Sequence, residues 1–191
     1  VWTDPFEKDL VQSLEKVSGV KDVEGRRLIE IRARIGDENW QNLALVGLSD
    51  FTGNINRLTP LEGSPFPGKD QVILSQDMLH VTGFHPGDSI EIELPDGSNH
   101  SLTVVGLVTD QMTAKPDPNL TNNAYITMKT LRSFGVGDYF SQLYVTAEGG
   151  ASNREIIASV AASIKDKVEK SQREVYRMDE KLSSEHPMTS S

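Results

Sequence analysis

The sequence predicts an α+β protein: a discontinuous βαββαβ-like layer, with two helices on a sheet, interrupted by an inserted β-rich subdomain. Three observations predict it. Phe6, Leu10, Leu14 and Val17 recur at helical steps near the start, and Ile157, Val160, Ala161, Ile164 and Val168 do so near the end. Strand-like segments flank both stripes. Between them the chain is dominated by period-two alternation and turn residues.

Taken in order, Val1-Trp2-Thr3 reads as the end of a strand. Asp4 is placed to cap a helix, with Pro5 at the first helical position, Glu7 completing a capping box and Gly19 closing the segment. Ile29, Ile31, Ala33 and Ile35 then alternate with Glu30, Arg32 and Arg34. Gly36-Asp37-Glu38-Asn39 turns that strand into a second one, Trp40 to Leu48, giving a hairpin. Ser49 to Asp70 reads as an irregular connection, because Gly63-Ser64-Pro65-Phe66-Pro67-Gly68 alone holds four glycines or prolines.

Residues 72–108 are the most legible stretch. Val72-Ile73-Leu74 is a short apolar strand, and Ser75 is placed to cap a short helix carrying Met78, Leu79 and Thr82 on one face. Gly83 ends that helix in the left-handed conformation. His85-Pro86-Gly87-Asp88 is a tight turn, and Ile90, Ile92 and Leu94 alternate with Ser89, Glu91 and Glu93 as in a half-buried strand. Asp96-Gly97 signals a hairpin into Leu102–Val108, a run expected to be covered on both faces.

TDQMTAKPDPNLTNNA reads as a loop, Tyr125-Ile126 as a brief strand, and Thr127 as the cap of a short helix through Leu131 ended by Gly135. Gln142–Ala147 is a strand and Gly149-Gly150 a break. Ser152 with Glu155 forms a second capping box ahead of the long helix, and Glu174–Met178 closes the layer. The domain division expected is 1–58 plus 136–191 for the α/β layer and 59–135 for the insert. No internal repeat is present.

Composition narrows function. The formal net charge of −9 lacks the basic footprint of a nucleic-acid binder and disfavours docking to anionic lipid. The absence of cysteine removes disulfides, thiolate metal sites and a cysteine nucleophile. No apolar run approaches the roughly 18 residues that span a bilayer. A start at Val1 and the polar tail LSSEHPMTSS predict an excised soluble piece of a longer chain.

Candidates for chemistry each have a plainer reading. His80, His85, His100 and His186 lack the spacing of a metal pair and read as structural or exposed. Asp117, Asn119, Thr121 and Asn123 alternate like calcium-loop ligands, but Asn122 stands where glycine is required and Met128 where the bidentate acid belongs. Gly135-Val136-Gly137 lacks the third glycine of a nucleotide site, and Gly63-Ser64-Pro65 is not a nucleophile elbow. Asp88, Asp96 and Asp110 are the carboxylates from which an acid–base pair would be drawn, each with a turn or strand-end explanation. The sequons Asn99-His100-Ser101 and Asn119-Leu120-Thr121 matter only in a eukaryotic secretory setting.

One ordered set of segments does carry a likeness: Leu61–Leu79 (LEGSPFPGKDQVILSQDML), then Phe84-His85-Pro86-Gly87-Asp88-Ser89-Ile90, then Leu102-Thr103-Val104-Val105-Gly106-Leu107-Val108. It resembles the extracytoplasmic (periplasmic core) domain of MacB/FtsX-like ABC transporter permeases. The resemblance implies a porter-like part (1–58 plus 136–191) and a sabre-like insert (59–135). It also implies a cell-membrane protein whose domain stands outside the bilayer, with membrane helices before Val1 and after Ser191. A separate ABC-type ATPase would supply the energy. The domain would transmit motion to an exported substrate or an outer partner protein, as in export or lipoprotein release, and would be a monomer when isolated. The matched residues are turn and core positions, so no catalytic, cofactor-binding or metal residue is carried over and no cofactor is expected. Two other classes stay open on the residues alone. One is a ligand- or peptide-binding module of a sensor or adhesion protein. The other is a hydrolase, which would show two close carboxylates with shifted pKa values.

Overall fold

The strand expected at Val1-Trp2-Thr3 is present but runs on through Asp4-Pro5, where a helix start is expected. In the computed structural model, which describes residues 1–53, 55, 58–110 and 122–182, β1 runs Trp2–Phe6. The Asp4 carboxylate accepts the Glu174 N–H at 2.9 Å, so the acceptor that would cap a helix serves a strand edge instead. Pro5 is tolerated because the pairing of this strand is irregular on both sides. The helix α1 (Lys8–Leu14) follows Glu7 without a side-chain cap and buries Leu10 and Leu14.

Two compact units are present, Val1–Arg26 with Tyr139–Ser191 and Arg27–Asp138. The strand β2 (Val20–Arg34) contributes its first part to one and its second part to the other. It begins nine residues earlier than the alternation from Ile29 indicates. Gly25 lies in this extra length because a Cβ there would sit 2.8 Å from the Phe140 ring.

In the first unit, β9 (Phe140–Ala147), a 3-10 turn (Gly150–Ser152), α4 (Arg154–Lys170) and β10 (Val175–Arg177) complete the layer. The strand order is β10-β1-β9-β2, so the chain sequence β1-α1-β2-β9-α4-β10 is a βαββαβ layer with the last strand beside the first. The hairpin partner of β2 is not its third strand; β9 is, pairing antiparallel from Val20↔Ala147 to Arg26↔Gln142. The α4 cap is Asn153 rather than Ser152: its Oδ1 accepts the N–H groups of Glu155 and Ile156. Val160, Ile164 and Val168 are buried along α4, which touches α1. Phe6 and Phe140 join this core with ring centroids 5.6 Å apart. Each such aliphatic side chain contributes about 1.5–3 kcal/mol by leaving water.

The second unit contains β3 (Trp40–Leu48), β4 (Leu58–Gly63), β5 (Gln71–Ser75), α2 (Asp77–Thr82), β6 (Ser89–Glu93), β7 (Asn99–Asp110), β8 (Asn122–Thr127) and α3 (Met128–Ser133). Its hydrogen bonding closes on itself. The second part of β2 neighbours β3, β3 pairs parallel with β8, and β8 pairs antiparallel with β5. Next, β5 pairs parallel with β7, β7 antiparallel with β6, and β6 returns antiparallel to β2. The result is a barrel of six strands, which leaves no edge within the ring. At the closing seam Arg32 stands opposite Glu93 and Arg34 opposite Glu91, and both pairs are salt bridges. Being exposed, they fix register more than they stabilise. Val46, Leu48, Ile73, Val108 and Tyr125 form one buried cluster here.

Local signals in 72–108 hold with small shifts. Ser75 ends β5, and Gln76 precedes α2 without a side-chain cap. Gly83 adopts φ +69° as the helix end requires, and Ile90, Ile92 and Leu94 are buried. β7 is covered on both faces only toward its end: Thr103 is exposed, whereas Gly106, Leu107 and Val108 are buried. Thr127 caps α3, its Oγ1 accepting the Thr130 N–H. The connection 49–70 contains a strand that its prolines concealed, because β4 pairs with β7 outside the ring, an edge position where Pro60 is allowed. The sequence loop 109–124 lies mostly outside the described residues.

Candidate functional site

The side chains weighed for chemistry are dispersed by the fold. His80 is exposed on α2, and His85 Nδ1 lies 3.2 Å from Glu62 Oε2 on open surface. The His100 ring stacks on Phe134 at 3.9 Å, and its Nε2 is 3.1 Å from Ser98 Oγ. His186, Asp117, Asn119 and Thr121, and with them the second sequon, lie outside the described residues; Asn123 is a strand residue opposite Ala44, and Asn99 opens β7 opposite Glu93. Among the described residues, no three histidine or acidic side chains gather as metal ligands.

Two of the carboxylates, Asp88 and Asp96, lock separate turns. Asp88 Oδ2 accepts the His85 N–H at 2.8 Å. Asp96 Oδ1 accepts the Ser98 hydroxyl at 2.6 Å and the Ser98 N–H at 2.9 Å, which together hold its carboxyl below the usual range. The backbone of Asp110 pairs with Leu58 at the end of β7. Ser64 Oγ accepts the Phe66 N–H at 3.1 Å, a turn role. Gly135 and Gly137 take φ +78° and +83° in the turn after α3.

What the fold does bring together is its two ends. β1 and β10 run antiparallel, with Trp2 opposite Arg177 and Thr3 opposite Val175. Asp4 N–H donates to the Glu174 carbonyl at 3.1 Å. The Asp4 carboxylate accepts the Glu174 N–H on Oδ2 and the Tyr176 hydroxyl on Oδ1. Arg173 Nε reaches the Pro5 carbonyl at 3.1 Å. The Tyr176 hydroxyl, followed by the Glu174 N–H, holds the Asp4 carboxyl below its ordinary range, and Asp4 in turn raises the phenol of Tyr176. The first and last strands of this unit therefore lie side by side, with Trp2 opposite Arg177. Both strands are expected from the sequence, at Val1-Trp2-Thr3 and Glu174–Met178, but the link between them through Asp4 is not, since Asp4 there reads as a helix cap.

The fold is thus a βαββαβ layer interrupted by a closed β-barrel, with its first and last strands paired. No family model and no curated protein matches the sequence. Solved structures do match. One is the extracellular domain of the noncanonic ABC-type transporter YknZ from Gram-positive bacteria: TM-score 0.63 and 17% identity over 91% of this chain and 90% of that one. Another is the periplasmic region of MacB from Actinobacillus actinomycetemcomitans: TM-score 0.60 and 15% identity over 88% of this chain and 77% of that one. The chain has the fold of these extracytoplasmic domains. No helix among its described residues is long and apolar enough to cross a membrane.

Proposed function

We propose that the chain is the non-catalytic extracytoplasmic domain of an ABC transporter permease in the cell membrane. It couples ATP hydrolysis by a cytoplasmic ABC-type ATPase to work on a substrate or partner protein outside. The observation that carries this reading is the extent of the fold likeness, which spans nearly all of both this chain and the YknZ domain rather than a shared motif. The side-by-side ends support it, because membrane segments attached there would act together on one edge of a packed sheet. Mechanical transmission of this kind needs stiff units rather than a reactive pocket, and the dispersed turn-locking carboxylates fit that need.

A division of labour belongs to the same proposal. The porter-like part, 1–58 plus 136–191, joins the membrane, and the β-rich sabre-like insert, 59–135, faces the outer partner. The compact units themselves change over between Arg26 and Arg27 and again between Asp138 and Tyr139. The isolated domain is expected to be a monomer in light scattering.

The test is purification of the full-length gene product in detergent through a cytoplasmic tag. Recovery of an ABC-type ATPase, or a fused ATPase domain, with four membrane segments supports the reading. Finding neither sinks it and turns attention to a sensor or adhesion module with a single anchor.

A further inference from the structure

We propose that β10 is a releasable strap and that Asp4 is the catch that holds it closed. The strap is short, three residues at the edge of its sheet, with β1 as its neighbour in the strand order. Apolar burial does little to hold it: Val175 is half-buried, Arg177 is exposed, and Tyr176 is 62% exposed. A three-residue edge strand without an apolar anchor belongs to the low-stability end of a fold.

What holds it is concentrated on one residue of the opposite end of the chain. The two carboxylate oxygens of Asp4 take bonds on either side of Val175, one from the Glu174 N–H and one from the Tyr176 hydroxyl, while Asp4 N–H donates back to the Glu174 carbonyl. Both carboxylate bonds are charge-assisted, about twice as strong as neutral ones. Arg173 adds a single bond to the Pro5 carbonyl. On the other side, only Ser171–Glu174 separate the strap from α4, and that link includes Gln172 at φ +62°, a left-handed conformation that a side chain disfavours. α4 keeps its own anchors, Val160, Ile164 and Val168, whether or not β10 is paired. The strap can therefore leave β1 without unfolding the helix behind it. Under the permease reading, the last strand is the element on which the following membrane segment acts, so opening the catch sets how tightly the two ends move together.

The catch itself does not depend on that reading, and it is tested on this chain by amide hydrogen exchange. In Asp4→Ala, exchange in residues 173–178 is expected to rise roughly tenfold or more, with α4 and residues 27–110 unchanged. Tyr176→Phe, an exposed substitution that cannot disrupt a core, is expected to give a smaller rise in the same residues. Unchanged exchange at 173–178 in both variants overturns the catch. A rise shared by α4 and β9 overturns the strap, since β10 would then open only with the whole unit. Neither result bears on whether an ATPase accompanies the full-length protein, so the two proposals fail separately.

Discussion

Gly106 on β7 lies against the backbone carbonyl of Ser64, so closely that a Cβ at position 106 would fall on that oxygen. Ser64 N–H donates to the Val105 carbonyl at 2.8 Å, which pins the chain leaving β4 onto β7. Gly63, with φ +69°, makes the bend, and a Cβ there would meet Val105 and Pro86. The glycines in this pair of strands thus serve a backbone-to-backbone approach that no side chain fits.

Gly106→Ala must push the chain at Ser64 away from β7, because the three atoms its Cβ would meet, O, C and N of Ser64, are all backbone. Its expected cost is about 1–3 kcal/mol or more, the range for overpacking. Gly83→Ala is the control: nothing lies within 4 Å of its Cβ position, so only the left-handed penalty applies, about 1–2 kcal/mol. Urea denaturation gives both values, and exchange of the β4 amides tells them apart. Only Gly106→Ala should expose residues 58–63, and protection of β4 equal to wild type would show the approach to be looser than described.

Thr130 is fully buried, and its hydroxyl accepts the Asp70 N–H at 3.2 Å and the Thr127 hydroxyl at 3.1 Å. Thr130→Val keeps the shape and removes the acceptor, so a loss of about 1–3 kcal/mol is expected from the unsatisfied groups. Thr127→Val removes the α3 cap, at about 0.5–2 kcal/mol. Because the two hydroxyls share one bond, the double variant should lose less than the two single losses together. Strict additivity in a double-mutant cycle would deny that the bond matters.

How far such features were legible in the sequence depends on the range of the interaction. The turn His85–Asp88, the αL residue Gly83 and the alternation of β6 are set by neighbours in sequence, and they stand where local chemistry puts them. β4 was concealed because its reason for being a strand is β7, roughly forty to fifty residues further on, while Pro60 within it and Pro65 and Pro67 just after it argue for a loop. The first part of β2, Val20 to Arg26, is charged and carries Gly25, whose role is visible only once Phe140 is in place. The pair of terminal strands is the extreme case. Asp4 and Tyr176 are 172 residues apart, and locally Asp4-Pro5 is a better helix start than a strand.

Acid should weaken the fold through a small set of carboxylates. Asp4, Asp50 and Asp96 are each held below the ordinary range, first by a hydroxyl (Tyr176, Thr52 and Ser98 respectively) and then by a backbone N–H. A carboxylate with a depressed folded-state pKa binds protons more readily when unfolded. Its contribution is therefore complete above the unfolded pKa of about 4 and is lost as pH falls through the folded value. Asp50 and Asp96 are exposed and Asp4 is half-buried at the surface, so solvent screens the effect. The urea midpoint is expected to fall between pH 5 and pH 2.5, and the combined change of these three aspartates to asparagine should flatten that fall. An unchanged slope in the triple variant would falsify the assignment.

Gln172 offers a case where two small effects oppose each other. It follows α4 in the left-handed conformation at φ +62°, its N–H donating to the Glu169 carbonyl at 2.9 Å, the geometry of a helix end where glycine is usual. Gln172→Gly relieves a left-handed penalty of about 1–2 kcal/mol. Against this, glycine increases the freedom of the unfolded chain, a cost of about 0.4–1 kcal/mol. The first effect is the larger, so a net gain of a few tenths to about 1 kcal/mol is expected, read as a raised urea midpoint. Gln172→Val tests the same point from the other side, since a β-branched residue is the least tolerant of this conformation and should lower the midpoint. If glycine lowered stability and valine left it unchanged, the turn between α4 and β10 would not hold the conformation on which its strain depends.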